Sequence, residues 1–226
     1  MEWLTYLSTY REEFLAGTIL TLKLVGFGLL AGFGLGLLAA LLRVYGGKAL
    51  RWLAIGYIEL FRGTPLLVQL FLVYFGLPDL GVTLDRMTAA YVTLALNSGA
   101  YQAEYLRGAI QSIGSGQMMA ARAMGMSRMQ SIWYIILPQA LRMVIPAWSN
   151  EPISLIKASA VAYLIAIPDL MNQAKIIVGR LYDPIGVYAA VALIYLAIVF
   201  VLTWVLGWLE RRLAIPGLEL ETQRTH

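Results

Sequence analysis

Apolar residues fill long stretches of this chain, and polar residues gather between them. A helix that crosses a bilayer needs roughly 20 apolar residues. Five stretches are long enough, and we predict spans at about 14–42, 52–77, 87–110, 132–167 and 185–209. In the first, Gly28, Gly32 and Gly36 recur every four residues and predict close helix contacts. In the second, Pro65 predicts a broken or kinked helix.

The composition agrees with this pattern. Of 226 residues, 60% are hydrophobic and 13% are charged, against about 25% charged in soluble domains. The sequence therefore predicts an all-α integral membrane protein. The chain has no cysteine and one histidine, His226 at its end, which argues against disulfides, thiolate metal sites and histidine-centred sites. The net charge of +4 comes from scattered residues, so we expect no nucleic acid partner.

The basic residues indicate the orientation, since cytoplasmic loops carry an excess of Lys and Arg. One set of loops holds eight of them: Arg43, Lys48, Arg51, Arg107, Arg122, Arg128, Arg211 and Arg212. The other set holds four, Arg11, Arg86, Lys175 and Arg180, among seven acidic residues, Glu2, Glu12, Glu13, Asp79, Asp85, Asp169 and Asp183. We expect the N-terminus outside and the C-terminus in the cytoplasm.

The segment after the third span, residues 107–131, is too polar to cross a membrane. Its pattern of Met118, Ala121, Met124 and Met126 predicts a short amphipathic helix. On the charge count this helix is cytoplasmic. A cytoplasmic helix between two spans offers a binding surface for a partner protein.

Residues 116–127, followed by Ile135-Ile136-Leu137-Pro138, resemble the EAA loop of ATP-binding cassette (ABC) importer permeases. Matching residues are Ala120, Ala121, Gly125, Ile135, Leu137 and Pro138, whereas Met119 stands where the family usually has glutamate. The resemblance implies a coupling loop at 112–138 that contacts an ATPase through Met119, Ala120, Ala121, Arg122, Ala123, Gly125 and Met126. The alternative is an interfacial helix lying on lipid.

The stretch from Glu59 to Gln69, Glu-Leu-Phe-Arg-Gly-Thr-Pro-Leu-Leu-Val-Gln, resembles a signature of the polar amino acid permeases, the histidine/glutamine/arginine/opine type. Its signature residues are Glu59, Arg62, Gly63, Thr64, Pro65 and Gln69. Glu59 and Arg62 lie three apart, so we expect them to share a helix face and neutralise each other. Two readings stay open: a structural kink without ligand contact, and a contact between Arg62 and substrate.

Polar residues within two spans are candidates for a substrate pocket, because such residues face protein or a cavity. They are Asn97, Ser98, Tyr101, Glu104, Glu151, Ser154 and Lys157. Relatives typically read Asn-Glu-x-x-Ser-Leu-x-Lys-Asp in the last region, where this chain has Ala158 in place of Asp. For a zwitterion, Glu104 or Glu151 suits the ammonium. Lys157 or backbone freed by a break at Pro152 suits the carboxylate.

The resemblance implies the five-helix type I ABC importer permease fold with a cytoplasmic coupling helix, in one domain over residues 1–226. Such a subunit of the bacterial inner membrane imports a polar or charged L-amino acid. Its implied partners are membrane lipid, a cytoplasmic ATPase, a second permease subunit in a homo- or heterodimer, and an external solute-binding protein on loops 79–86 and 169–183.

We expect no cofactor in this chain, since it lacks a G-x-x-x-x-G-K-[ST] loop and ATP belongs to the ATPase. The alternative is an autonomous secondary transporter or channel subunit. A membrane enzyme is disfavoured because the chain has no cysteine, no internal histidine and no clustered acid pair within its spans.

Overall fold

The computed structural model of the chain describes residues 2–213, with side chains from Thr5 onward; His226 lies outside them. Over this range the chain is helical and has no strand. The helices are α1 Glu2–Thr9, α2 Arg11–Tyr45, α3 Lys48–Gly63, α4 Leu66–Phe71, α5 Arg86–Ser112, α6 Ser115–Ala123, α7 Arg128–Ser131, α8 Leu137–Met143, α9 Ile145–Trp148, α10 Asn150–Ser159, α11 Leu170–Leu181 and α12 Pro184–Leu213. Between them lie π-helical turns at Leu72–Gly76 and Ile132–Ile136, and 3-10 helices at Leu77–Leu80 and Ala160–Ile165.

By length and composition, α2 and α12 qualify as membrane spans. Two bent pairs raise the number to four if each is one span: Lys48–Gly63 with Leu66–Leu80, bent by 107°, and Ile145–Ile165 with Leu170–Leu181, bent by 52°. The break predicted in the second span is thus confirmed. The remaining predicted span corresponds to α5, a helix of 27 residues that does not qualify on the same criteria.

The polarity of α5 is explained by its position against α2. Thr93, Ser98 and Gln102 of α5 are fully buried, so these side chains contact protein and not lipid. A helix with a polar stripe is stable at membrane depth when that stripe packs on other helices. The central position of α5 therefore makes up for its low hydropathy.

The close contacts predicted for the glycines of α2 are confirmed. A Cβ at Gly32 would lie 2.9 Å from the backbone nitrogen of Gly99, and a Cβ at Gly36 would lie 2.8 Å from the Gly99 oxygen. Each distance is shorter than real Cβ contacts allow. Only glycine lets the α2 and α5 backbones approach so closely, as small residues do between membrane helices generally.

The fourth predicted span is divided into short helices, as its prolines predict. Pro146 and Pro152 lack the N–H that a helix interior uses, and the chain leaves regular helix at Val144 and Ser149. α10 nevertheless continues through Pro152, so the interruption lies just before that proline. The bend of 52° falls further on, before α11, which Asp169 caps by accepting a hydrogen bond of 2.9 Å from the Asn172 N–H.

Helix α12 closes the bundle and is exposed along one face. Leu196, Phe200 and Trp204 recur every four residues and are more than 60% exposed. Its other face packs against α1 and α11, where Val187 and Val191 are buried. An apolar face without a protein neighbour suits contact with lipid chains.

Candidate functional site

The break between α3 and α4 is held by two buried side-chain amides. Pro65 provides no N–H for the Phe61 carbonyl, and that oxygen instead accepts from Gln69 Nε2 at 2.8 Å. Gln69 Nε2 also donates to the Thr64 carbonyl at 2.9 Å. Asn97 Nδ2 of α5 donates to Gln69 Oε1 at 2.9 Å and to the Phe61 oxygen at 3.3 Å. Gln69 and Asn97 together therefore fix the irregular backbone of the signature segment.

The predicted pairing of Glu59 with Arg62 is wrong. Glu59 lies 4.0 Å from Arg43 Nη1 and its side chain is 64% exposed, whereas Arg62 Nη1 lies 3.7 Å from Glu104 Oε2. Glu104 of α5 is only 15% exposed, and charges attract more strongly where water is excluded. Arg62 thus pairs with Glu104 of the neighbouring helix α5 and not with Glu59 of its own helix.

Three arginines from three helices surround Glu104. Arg43 of α2 donates to Oε1, and Arg107 of α5 donates to Oε2 at 2.8 Å. Arg62 of α3 completes the set and lies over the ring of Tyr101, 5.4 Å from its centre. We call Arg43, Arg62, Arg107 and Glu104 the arginine cluster. In this cluster both oxygens of Glu104 accept hydrogen bonds from arginine.

A second polar network lies one to two turns nearer the N-terminus of α5. Ser98 Oγ donates to Glu151 Oε1 of α10 at 2.7 Å, and Gln102 Nε2 donates to Ser98 Oγ at 2.9 Å. Trp148 Nε1 donates to Gln102 Oε1 at 2.7 Å. The structure therefore brings together two predicted site residues, Ser98 and Glu151. Sequence reasoning missed Gln102, although its place four residues after Ser98 sets it on the same helix face.

One oxygen of Glu151 is left available. Glu151 is 3% exposed, and over the described chain Oε2 accepts no hydrogen bond. The fully buried oxygens without a partner are those of Asp169 and Tyr195, within the same residues. Glu151 Oε2 is not among these fully buried atoms, so it retains some accessible surface.

Ser154 and Lys157 lie elsewhere on α10. With Asn150 they form an exposed face at spacing i, i+4, i+7, and Glu151 and Leu155 are buried along the edge of that face. Lys157 has no ion pair or hydrogen bond among the described residues. Neither residue takes part in the Ser98–Glu151 contact, and both are accessible.

A wide cavity of about 810 Å³ opens between the two loops predicted to face outward. Its lining residues are Tyr74, Asp85, Arg86, Met87, Ala166, Pro168, Asn172 and Ile176. Arg86 Nη1 donates to the Ala166 oxygen at 3.0 Å and so joins the first loop to the backbone just before the second. The hydroxyl and backbone N–H of Thr88 lower the pKa of Asp85, the cap of α5, below its usual range. Asp85 is therefore a carboxylate at neutral pH.

The predicted coupling residues form a short projecting element. Helix α6 buries Ala121 and exposes Met119, Ala120, Arg122 and Ala123. After it, Gly125 has φ +87, a conformation that other residues rarely adopt. The predicted glycine turn is confirmed. Met126 N–H bonds the Ala121 oxygen at 3.1 Å and closes this turn.

A second contact fixes the segment after α6. Arg128 Nη2 donates to the Tyr45 oxygen at 3.2 Å and lies over the Tyr45 ring. Ser127 and Gln130 cap α7 reciprocally. The Arg128 contacts tie the segment to the C-terminal end of α2.

The described residues contain no group of three or more His, Cys, Asp or Glu side chains suited to a metal ion.

The family model described as "Binding-protein-dependent transport system inner membrane component" matches residues 32–215. The glutamine transport system permease protein GlnP of Escherichia coli K12 is 41% identical over 203 residues, which cover 88% of this chain and 92% of the relative. The probable amino-acid ABC transporter permease protein YckA of Bacillus subtilis is 42% identical over 194 residues, 86% of each chain.

Solved structures agree with these relatives. One chain, from a crystal structure of an amino acid ABC transporter with histidines, superposes with a TM-score of 0.85 at 39% identity and covers 94% of this chain and 99% of its own. An inward-facing MetNI methionine ABC transporter gives a TM-score of 0.69 at 23% identity, with 90% of this chain and 94% of its own covered. At that identity the second likeness concerns the fold alone.

Proposed function

This chain belongs to the family of inner membrane components of binding-protein-dependent transport systems, and from that premise we propose that it is a permease subunit that imports a polar or charged L-amino acid. The all-helical fold is that of type I ABC importer permeases. Such proteins are transport subunits and not enzymes, and the ATPase is a separate chain. The observation that carries the proposal is the likeness to an amino acid ABC transporter over 94% of the chain at 39% identity.

The proposed assembly contains a second permease subunit, a cytoplasmic ATPase that binds ATP, and an external solute-binding protein. The exposed polar face of α10 supports a second subunit or a water-filled pathway there, because polar residues at membrane depth are costly against lipid. The open cavity between loops 79–86 and 169–183 supports docking of a binding protein on that side. The excess of basic residues on the opposite side supports an external N-terminus and a cytoplasmic C-terminus.

The coupling role is assigned to the segment 112–138, within the single permease domain. Exposed small residues of α6 offer a partner a surface for close approach, and Gly125 shapes the turn. ATP-driven closure of the ATPase would pull α6, and the Arg128 contact with Tyr45 would pass the motion to α2. The protein performs no bond chemistry; it opens the pathway to one side or the other.

Within the proposed pocket, Glu151 is assigned to the substrate ammonium in preference to Glu104. Three arginines surround Glu104, whereas Oε2 of Glu151 has no partner among residues 2–213. Ser98 positions the Glu151 carboxylate and Tyr101 and Ser154 line the route. Lys157 is accessible for the substrate carboxylate. Asn97 supports the pocket through the break that it stabilises.

The function is tested in proteoliposomes that contain the permease with its ATPase. Radiolabelled L-glutamine, L-arginine, L-histidine and L-cystine are supplied outside with the binding protein, and ATP is enclosed. We expect uptake of at least one amino acid that depends on both ATP and binding protein. Equal uptake by the permease without its ATPase would instead identify an autonomous carrier or channel.

The role of Glu151 is tested by Glu151→Ala in the same vesicles. A hydrogen bond to a charged group contributes about 1.5–3 kcal/mol, so we expect substrate affinity to fall by roughly 10- to 150-fold while ATPase docking is unchanged. Glu12→Ala, which removes an exposed carboxylate at the start of α2, is the matched control and should transport normally. Unchanged uptake by Glu151→Ala would remove this residue from the pocket.

A further inference from the structure

The guanidinium group of Arg62 has N–H donors that are not used in hydrogen bonds to the described residues. It occupies the last turn of α3, one residue before the backbone leaves the helix at Gly63-Thr64-Pro65. The described residues accept no hydrogen bond from it; its contacts are the Glu104 oxygen at 3.7 Å and the Tyr101 ring at 5.4 Å. A guanidinium has five N–H donors, and here they are free for a ligand.

The arginine cluster carries more positive than negative charge. Its three guanidinium groups face one firmly bound carboxylate, Glu104, whose oxygens are hydrogen-bonded to Arg43 and Arg107. Glu59 lies 4.0 Å from Arg43, beyond hydrogen-bonding distance, and is mostly exposed. An excess of charge next to membrane spans is costly without a counter-ion. Of the three guanidinium groups, Arg62 is the one that has no hydrogen bond to a carboxylate in the described residues.

The position of Arg62 relative to Glu151 follows from helix geometry. Glu151 contacts Ser98, and Arg62 contacts Tyr101 and Glu104 of the same helix α5. With a rise of 1.5 Å per residue, Arg62 lies about 5–9 Å further along α5 than Glu151. The two charged groups therefore flank one stretch of α5.

Lys157 lies on the other side of Glu151. The α9–α10 segment runs antiparallel to α5, because Trp148 bonds Gln102 while Glu151, further along the segment, bonds Ser98. Lys157 is six residues beyond Glu151 along α10, or about 9 Å toward the start of α5. Along the axis of α5, Glu151 thus has a cation on each side of it.

We infer that Arg62 receives the α-carboxylate of the transported amino acid on the side of the pocket nearer the coupling segment. This inference rests on the proposed function and adds a binding residue to the site. An arginine fork matches a carboxylate with two parallel hydrogen bonds. A zwitterion held by its ammonium at Glu151 directs its carboxylate to Lys157 in one orientation and to Arg62 in the other.

The test is direct binding to the purified permease–ATPase complex without binding protein. Two probe pairs differ only in the α-carboxylate: L-glutamine with 4-aminobutanamide, and L-arginine with agmatine. Affinities are measured for the wild type, Arg62→Gln, Arg62→Lys and the control Arg142→Gln, which removes an exposed arginine of α8. Recovery of the intact complex is checked for every variant.

We expect the wild type and Arg142→Gln to prefer at least one amino acid over its decarboxylated analogue. Arg62→Gln should lower the affinity for that amino acid at least 10-fold and leave the affinity for the analogue unchanged. Arg62→Lys, which keeps the charge over Tyr101 but loses the fork, should show a smaller loss and provides the measurement if the glutamine variant does not assemble. A preserved preference in the assembled Arg62 variant would overturn the inference. A wild type that binds neither amino acid, and transports none in vesicles, would refute the proposed function itself.

Discussion

Replacing Gln69 by leucine removes the amide that holds the break between α3 and α4. Gln69 is 5% exposed, so water does not readily replace it. In Gln69→Leu the Thr64 oxygen loses its side-chain donor, and the Phe61 oxygen keeps only the 3.3 Å bond from Asn97. Asn97 loses one of its two acceptors, Gln69 Oε1. Leucine has a similar volume, so the perturbation is mainly the loss of hydrogen bonds.

The magnitude follows from these groups. A buried donor or acceptor left unpaired costs about 1–3 kcal/mol. Thr64 and Phe61 are partly exposed, so their oxygens regain some hydration, and the free energy of unfolding should fall by about 2–5 kcal/mol in total. For a chain of this size that corresponds to a loss of Tm on the order of 10 °C.

The assay is thermal unfolding of the purified permease–ATPase complex in detergent, followed by the loss of monodisperse complex. The matched control is Gln139→Leu, which removes one local bond of 2.7 Å to the Ile135 oxygen and should cost at most about 1.5 kcal/mol. Gln69→Leu should be clearly the less stable of the two. Equal midpoints would refute the reasoning that side-chain amides hold the break.

Two further predictions concern glycines that differ in their surroundings. Gly32→Leu should destabilise the complex by at least about 1–3 kcal/mol because its side chain meets the α5 backbone, whereas Gly34→Leu, which faces open space, should melt close to the wild type; equal melting would contradict the α2–α5 packing. Gly125→Trp should abolish ATPase recovery on pulldown while the protein stays inserted. Gly81→Trp, at φ +84 in the loop predicted to face outward, imposes similar backbone strain and should bind normally, so normal recovery with Gly125→Trp counts against the coupling assignment.

Features set by local chemistry were predictable from the sequence. The glycine spacing of α2 identified residues that contact α5, because Gly28, Gly32 and Gly36 recur on one helix face. Pro65 identified the break in the second span, since proline removes a helix hydrogen bond wherever it lies. The turn at Gly125 followed in the same way from a residue without a Cβ.

The sequence does not predict which residues far apart in the chain form ion pairs and hydrogen bonds with each other. Arg62 has a local candidate in Glu59, three residues away, yet it lies against Glu104, 42 positions along the chain. Spacing reports which residues share a face, but the packing of α5 decides which carboxylate is the more buried. Gln69 and Asn97 show the same limit: the sequence identifies both as polar positions, but their common acceptor, the Phe61 oxygen, is exposed to them only by the folded break.

The most direct test of the account is the sidedness of the coupling segment. Because the chain has no cysteine, Met119→Cys provides a single thiol at an exposed position of α6, and Asp79→Cys provides one on the predicted outer loop. A membrane-impermeant maleimide is applied to spheroplasts and to opened membranes, with and without the ATPase. We predict that Asp79→Cys reacts in both preparations, and that Met119→Cys reacts only in opened membranes and is protected by the ATPase. Reaction of Met119→Cys in intact spheroplasts would contradict the account.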